Sequence, residues 1–177
     1  MKKRLSNMEK KKIEEKVERN LEELGYVLGE DMYVDAVKLL CKHGFIVGES
    51  DILSSNDDGF IYVSPEEDIK IIGVNDNRSK EEKRFILMHE LGHYQLSHKK
   101  DGRIYMHREH ERGRNQIEND ADYFAACILM PEKSFKNQYD YLVRLNTPYE
   151  NILIALQDIF KTPIESIERR IKEVCNV

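Results

Sequence analysis

The spacing of apolar residues predicts two helices at the start of the chain. Between residues 5 and 24 the apolar positions recur at intervals of three to five residues, which is typical of one amphipathic helix. Gly25 is expected to end this helix. The same spacing over residues 33–43 predicts a second, shorter helix that ends at Gly44.

Three short runs rich in β-branched and aromatic residues follow the helices. They cover residues 45–47, 60–63 and 69–74 and are bounded by Gly, Asn, Asp or Pro, as expected for strands of a small sheet. Helical spacing returns at residues 79–98, 117–130, 149–160 and 164–174. Residues 99–116 are charged and contain almost no core-forming side chains, so they predict a loop. Two helices, then strands, then helices indicate an α+β fold.

Composition narrows the class of protein. The 177 residues are 40% hydrophobic and 34% charged, as in a globular domain, and the net charge of -5 is too small to indicate binding to nucleic acid or anionic lipid. No run of about 18 apolar residues predicts a membrane span, and the basic N-terminus lacks the apolar stretch of a secretory signal. Cys41, Cys127 and Cys175 form no CxxC pair and are expected to be free thiols, which favours a cytoplasmic location.

The segment FILMHELGHYQLSH, residues 85–98, contains two histidines four residues apart in a predicted helix. Such residues lie one above the other on a helix, so His89 and His93 can direct ring nitrogens to one ion at about 2.0–2.1 Å. Glu90 is turned by about 100° around the axis. From there it can reach a water at the ion and act as a general base.

The flanking residues favour metal binding over the alternative, a solvated helix with scattered polar side chains. Phe85, Leu87 and Leu91 make the helix largely apolar, so the imidazoles would be buried and would need a partner. Gly92 in mid-helix costs about 1 kcal/mol relative to alanine, which indicates the close approach of another segment.

A catalytic zinc site needs a third protein ligand. His98 would face the opposite side of a continuous helix and is not expected to serve. In IENDADYFAACILMP, residues 117–131, two carboxylates and two alanines share one helical stripe. We predict that Glu118 is the third ligand and that Asp122 accepts a hydrogen bond from the outer nitrogen of a ligand histidine. The alternative is an ordinary acidic first turn of a helix.

The motif KRFILMHELGH, followed by ExxAxxFAAxxLMP, resembles the ImmA/IrrE family of zinc metallopeptidases, and the similarity covers residues 69–131 best. The resemblance implies a minimal gluzincin-like fold: a small, mostly antiparallel sheet packed on helices, with a helix-turn-helix-like tail. It implies a peptidase domain over residues 1–145 and a helical hairpin over 146–177 packed on its core. It also implies one zinc ion held by His89, His93 and Glu118, with Glu90 as base. Asp122 departs from the asparagine expected in many relatives.

The resemblance also implies a substrate. Members of this family typically cleave a helix-turn-helix transcriptional repressor, so we expect a zinc-dependent endopeptidase that derepresses a mobile element, a prophage or a stress regulon. The alternatives are a zinc-held regulator that binds a partner without turnover, and DNA binding through the last helix. DNA binding is disfavoured because glutamates alternate with Arg169, Arg170 and Lys172, so no basic face forms.

The sequence leaves two features of substrate binding open. The developing oxyanion needs a donor besides the metal, and the candidates are Tyr94, His98, His107 and His110. Residues 69–75 form either an edge strand that pairs with an extended peptide or a core strand.

Overall fold

A four-stranded sheet and seven helices make up the part of the chain that the computed structural model describes, residues 5–26, 33–51, 57–64, 66–96, 105–108 and 116–175. The elements follow in the order α1 (Asn7–Glu23), α2 (Ala36–Lys42), β1 (Ile46–Ser50), β2 (Asp57–Ser64), β3 (Ile69–Asn75), α3 (Lys80–Gln95), β4 (Tyr105–Arg108), α4 (Gln116–Leu129), α5 (Glu132–Arg144), α6 (Tyr149–Phe160) and α7 (Ile164–Val174). The predicted α+β class is confirmed.

The sheet has the strand order β1-β3-β2-β4. β1 runs parallel to β3, whereas the β2–β3 and β2–β4 pairs are antiparallel, so the sheet is mostly antiparallel as predicted. β3 lies inside the sheet with a partner on each side, and its residues Ile72 and Val74 are buried. Residues 69–75 are therefore a core strand, and the interpretation that they form a peptide-binding edge was wrong.

The charged segment 99–116 contains a strand where the sequence predicts only loop. In β4, Tyr105 pairs with Ile61 and Met106 pairs with Phe60. A strand of four residues is too short to show a clear alternation, and strands at a sheet edge tolerate charged neighbours. Residues 99–104 and 109–115 lie outside the described residues.

The helix α5 was also missed. Pro131 was interpreted only as the end of the preceding helix, but its carbonyl accepts the first hydrogen bond of the next helix, from the amide of Phe135. Ser134 and Phe135 are the buried residues of α5. The sequence does carry a helical spacing here: Phe135 is buried, and Tyr139 and Leu142, four and seven residues further on, pack partly buried against the core. The helix was missed because the proline was interpreted only as the end of helical structure, although proline is also favourable near the start of a helix.

The two helices α3 and α4 form the most extensive helix contact of the described chain. Ser79 caps α3, and its side chain and that of Glu82 form a reciprocal capping box with the backbone, which fixes where the helix begins. Residues 86–93 are all buried because the strands β2 and β3 cover one side of α3 and α4 covers another. This burial confirms the largely apolar setting expected for the histidines.

Gly92 lies where α3 and α4 approach most closely. A Cβ atom there would lie 3.1 Å from Cδ1 of Phe124 and 3.2 Å from the backbone Cα and O atoms of Ala121. The close approach predicted from this glycine is confirmed. It sets the distance between the helix that carries the two histidines and the helix that carries Glu118 and Asp122.

The helices α6 and α7 begin and end where the hydrophobic pattern placed them. α7 packs on α5 and α6 and buries Ile167, Ile171 and the guanidinium of Arg170, whose Nε donates to the carbonyl of Met130 at 3.1 Å. The division of the chain at residue 145 stays a prediction. All three cysteines are free thiols, as expected, and no described helix has both the length and the apolar character to cross a membrane.

We predict that Gly92→Ala lowers the free energy of unfolding by about 1 kcal/mol. Alanine gains about 1 kcal/mol in helix propensity, but overpacking against the α4 backbone costs roughly 1–3 kcal/mol. Urea unfolding monitored by circular dichroism measures the difference. Gly48→Ala is the control for adding a methyl group without close packing, because nothing lies within 4 Å of a Cβ there. A Gly92→Ala protein that is more stable than the wild type would contradict the packing argument.

Candidate metal centre

Two imidazoles from α3 and one carboxylate from α4 converge in the folded chain. The Nε2 atoms of His89 and His93 lie 2.9 Å apart. Oε2 of Glu118 lies 3.2 Å from Nε2 of His89 and 3.4 Å from Nε2 of His93. The structure therefore brings together the three side chains that the sequence analysis selected as ligands, and these could hold one metal ion.

The separations of these donor atoms fit a small tetrahedral ion. Donors bound to zinc at about 2.0–2.1 Å in a tetrahedron lie roughly 3.3 Å from one another. The observed separations of 2.9 to 3.4 Å are close to this value. Two imidazole nitrogens and a carboxylate oxygen are also a donor set that zinc accepts. The residues present thus fit the metal that the sequence motif implies.

Asp122 contacts the outer nitrogen of His89. Its Oδ1 lies 2.9 Å from Nδ1 of His89, so the carboxylate accepts a hydrogen bond from the Nδ1–H group, which leaves the lone pair of Nε2 for an ion. Burial acts to lower the pKa of His89, but the hydrogen bonds to Asp122 and Glu118 outweigh it and raise the pKa to about 10. The cluster thus favours a positive charge between its carboxylates, as a metal site should.

The second oxygen of Asp122 contacts the C-terminal helix. Nη1 of Arg169 donates to Oδ2 of Asp122 at 2.9 Å. Burial acts to raise the pKa of Asp122, yet the hydrogen bond from His89 and the positive charges of His89 and Arg169 lower it to about 2. Sequence reasoning considered Arg169 only as a phosphate contact. No local signal links it to Asp122, because the two residues are 47 positions apart.

Glu90 follows His89 on α3 and is completely buried, with 0% of its surface exposed. A carboxylate in such a position is costly unless it is compensated by hydrogen bonds or positive charge. The helix turns Glu90 by about 100° from His89. It therefore belongs to the same buried region as the histidines without sharing their face of the helix.

A cleft with a volume of about 370 Å³ reaches the centre from one side. It is lined by residues of α3 between Glu81 and His89, by Asp122, and by the connection and first turns that lead into α7. His89 and Asp122 both line the cleft. Among the described residues that line it, Arg169 is the only arginine or lysine.

Of the four candidates for oxyanion stabilisation, Tyr94 is the one whose side chain lies among the described residues. Tyr94 packs edge-on against Phe45, with 5.1 Å between the ring centroids, and Nζ of Lys70 lies 5.1 Å from its ring centre. His107 lies in β4, where the backbone alone is described, and His98 and His110 lie outside the described residues. The choice of an oxyanion donor stays a prediction.

Comparison with known proteins identifies a family and a similar fold. The family model described as the IrrE N-terminal-like domain of the M78 peptidases matches residues 41–172. A solved "Mycobacterium tuberculosis transcriptional regulator" matches with a TM-score of 0.56 and 15% identity, over 90% of this chain and 46% of that one. At this identity the likeness concerns the fold, and this chain spans about half the length of that protein. No curated protein matches the chain significantly.

The family match covers most of the chain, including both helices of the metal centre. It supports a metallopeptidase-like or regulator-related function and agrees with the side chains that the structure brings together. The predicted recognition is confirmed: the chain belongs to the IrrE N-terminal-like domain family of M78 peptidases.

Proposed function

We propose that this protein is a zinc-dependent endopeptidase that cleaves a helix-turn-helix transcriptional repressor of a mobile element, a prophage or a stress regulon. The observation that supports it most directly is the convergence of His89, His93 and Glu118 on one small volume beside the buried Glu90. A purely structural contact between two helices does not need two imidazoles and two carboxylates, since each is costly to bury.

The proposed chemistry is peptide hydrolysis. His89, His93 and Glu118 would hold a zinc ion, which would supply Lewis acidity to the scissile carbonyl and to the attacking water. Glu90 takes a proton from that water while the oxygen of the water forms a bond with the carbonyl carbon. Glu90 then gives the proton to the amide nitrogen as the carbon–nitrogen bond breaks. Its burial strengthens its electrostatic interactions, because few water molecules screen them.

Asp122 has a supporting role in this proposal. Its hydrogen bond with Nδ1 of His89 fixes the ring orientation and the tautomer that presents Nε2 to the ion. An aspartate in place of the asparagine expected in many relatives makes His89 a more basic ligand, because the acceptor carries a full negative charge. We infer that this departure preserves the site.

The repressor substrate is inferred from the sequence resemblance. The solved chain with a similar fold is itself named a transcriptional regulator, which supports a regulatory setting without identifying a substrate. The contacts of the basic residues on the last helix argue against a DNA partner. Arg170 is 1% exposed and Arg169 is paired with Asp122, so two of the three basic residues considered for phosphate binding have other contacts.

We predict that the purified protein binds one zinc ion, and that His93→Ala and Glu118→Ala each weaken binding by more than 100-fold. Loss of an outer hydrogen-bond partner of a ligand already costs about 10–100-fold, and these changes remove ligands themselves. Competition with a chromophoric chelator measures the affinity. Glu90→Gln should bind zinc as the wild type does, and undiminished binding by the Glu118→Ala protein would exclude Glu118 as a ligand.

We predict that Glu90→Gln lowers the rate of repressor cleavage by about 10²–10⁴-fold, because glutamine cannot accept the proton. The assay incubates the zinc-loaded protein with helix-turn-helix repressors, beginning with any that is encoded beside its gene, and follows fragments by mass spectrometry. Glu150→Gln, the same change at an exposed position of α6, should leave the rate unchanged. A chelator should stop cleavage and added zinc should restore it.

The same assay separates the peptidase from the non-catalytic alternative. If the wild-type protein binds zinc and the repressor but produces no fragments, the chain is a zinc-held regulator. If the Glu90→Gln protein cleaves at the wild-type rate, Glu90 is not the general base.

A further inference from the structure

The C-terminal helix is linked to the metal centre by two consecutive hydrogen bonds. Arg169 on α7 donates to Oδ2 of Asp122 at 2.9 Å, and Oδ1 of the same carboxylate accepts from Nδ1 of His89 at 2.9 Å. Each oxygen of Asp122 therefore has a different partner. One partner is a proposed zinc ligand. The other, Arg169, lies 40 positions after the last residue of α4.

A single hydrogen bond does not hold a carboxylate in one orientation. The final torsion of an aspartate side chain is broad, so the plane of the carboxylate rotates readily. The Asp122 side chain is also 31% exposed, and water can compete for its oxygens. A guanidinium N–H on Oδ2 restricts this rotation and keeps Oδ1 directed at Nδ1 of His89.

The position of Arg169 is defined by a rigid part of the fold. Its neighbour Arg170 is buried and donates to the carbonyl of Met130, at the C-terminal end of α4. Ile167 and Ile171 on the same helix are buried in the core. Because α7 is held to α4, the helix that carries Asp122, Arg169 approaches that carboxylate from a fixed direction, although 54% of its own side chain is exposed.

Charge balance gives Arg169 a second effect on the centre. Glu90, Glu118 and Asp122 bring three negative charges when ionised, and one zinc ion brings two positive charges. Arg169 supplies the remaining positive charge. Its guanidinium lies against the carboxylate that orients His89, so the compensating charge is placed beside the centre.

We propose that Arg169 is a positioning residue of the metal centre, which acts on His89 through Asp122 and makes the C-terminal helix part of the machinery that holds zinc. The inference rests on the proposed zinc site but not on peptide cleavage. It differs from a role for Arg169 in binding phosphate, because its effect requires Asp122.

The test measures zinc affinity and the visible spectrum of the cobalt(II)-substituted protein in a set of variants. Arg169→Ala should weaken zinc binding by about 5–10-fold, near the lower end of the 10–100-fold effect of partners that contact a ligand directly, and should change the cobalt bands. Arg169→Lys should recover most of the affinity, because lysine keeps the charge and a donor. Thermal unfolding of each metal-free variant checks that the fold is intact.

A double-mutant cycle tests whether Arg169 acts through Asp122. Asp122→Ala should weaken zinc binding by about 10–100-fold, and adding Arg169→Ala to that variant should cause no further loss. Lys172→Ala is the matched control, because it removes one positive charge from an exposed position of the same helix. It should leave affinity and spectrum unchanged.

Three results would overturn the proposal. These are an Arg169→Ala protein with wild-type affinity and spectrum, an equal loss in Lys172→Ala, or a loss in the double variant equal to the product of the two single losses. A wild-type protein that does not bind zinc would overturn both this inference and the proposed function. Zinc binding without cleavage would overturn the peptidase proposal alone.

Discussion

The close packing of α3 on α4 is the constraint on which the rest of the site depends. At Gly92 the side chain is a hydrogen atom, and the backbone of Ala121 occupies the space that a larger residue would need. Gly92 lies within one helical turn of His89 and His93, and Ala121 lies within one turn of Glu118 and Asp122. The contact therefore sets how far Glu118 reaches toward the histidines and how far Asp122 reaches toward His89. A tightly packed interface does not deform gradually, which explains how the separations of the donor atoms are held.

Burial of charge gives this interface its chemical character. Three carboxylates and two imidazoles lie in or beside the α3–α4 contact, where water cannot stabilise them fully. Their mutual contacts raise the pKa of His89 and lower that of Asp122. In the proposed centre, a divalent cation and the guanidinium of Arg169 would together balance the negative charge. The proposed catalytic, metal-binding and supporting residues therefore depend on one another electrostatically.

The sequence predicted the elements whose signals are local. Two histidines and a glutamate within one helical turn share a geometry that the helix itself imposes, so His89, Glu90 and His93 could be selected from spacing alone. Glu118 and Asp122 form a second local stripe. Gly92 indicated a close approach because glycine is unfavourable in a helix unless space requires it. The helices α6 and α7 were found at their full length because each has a clear apolar face.

Features that depend on partners distant in the chain were decided by the tertiary structure. β4 is a strand because β2 offers it an open edge, and β3 is a core strand because β1 pairs with its other side. Arg169 meets Asp122 because the packing of α7 brings them together across 47 positions. Helical spacing depends on residues that are close together in the sequence. Strand pairing and ion pairing depend on which surfaces meet once the chain has folded.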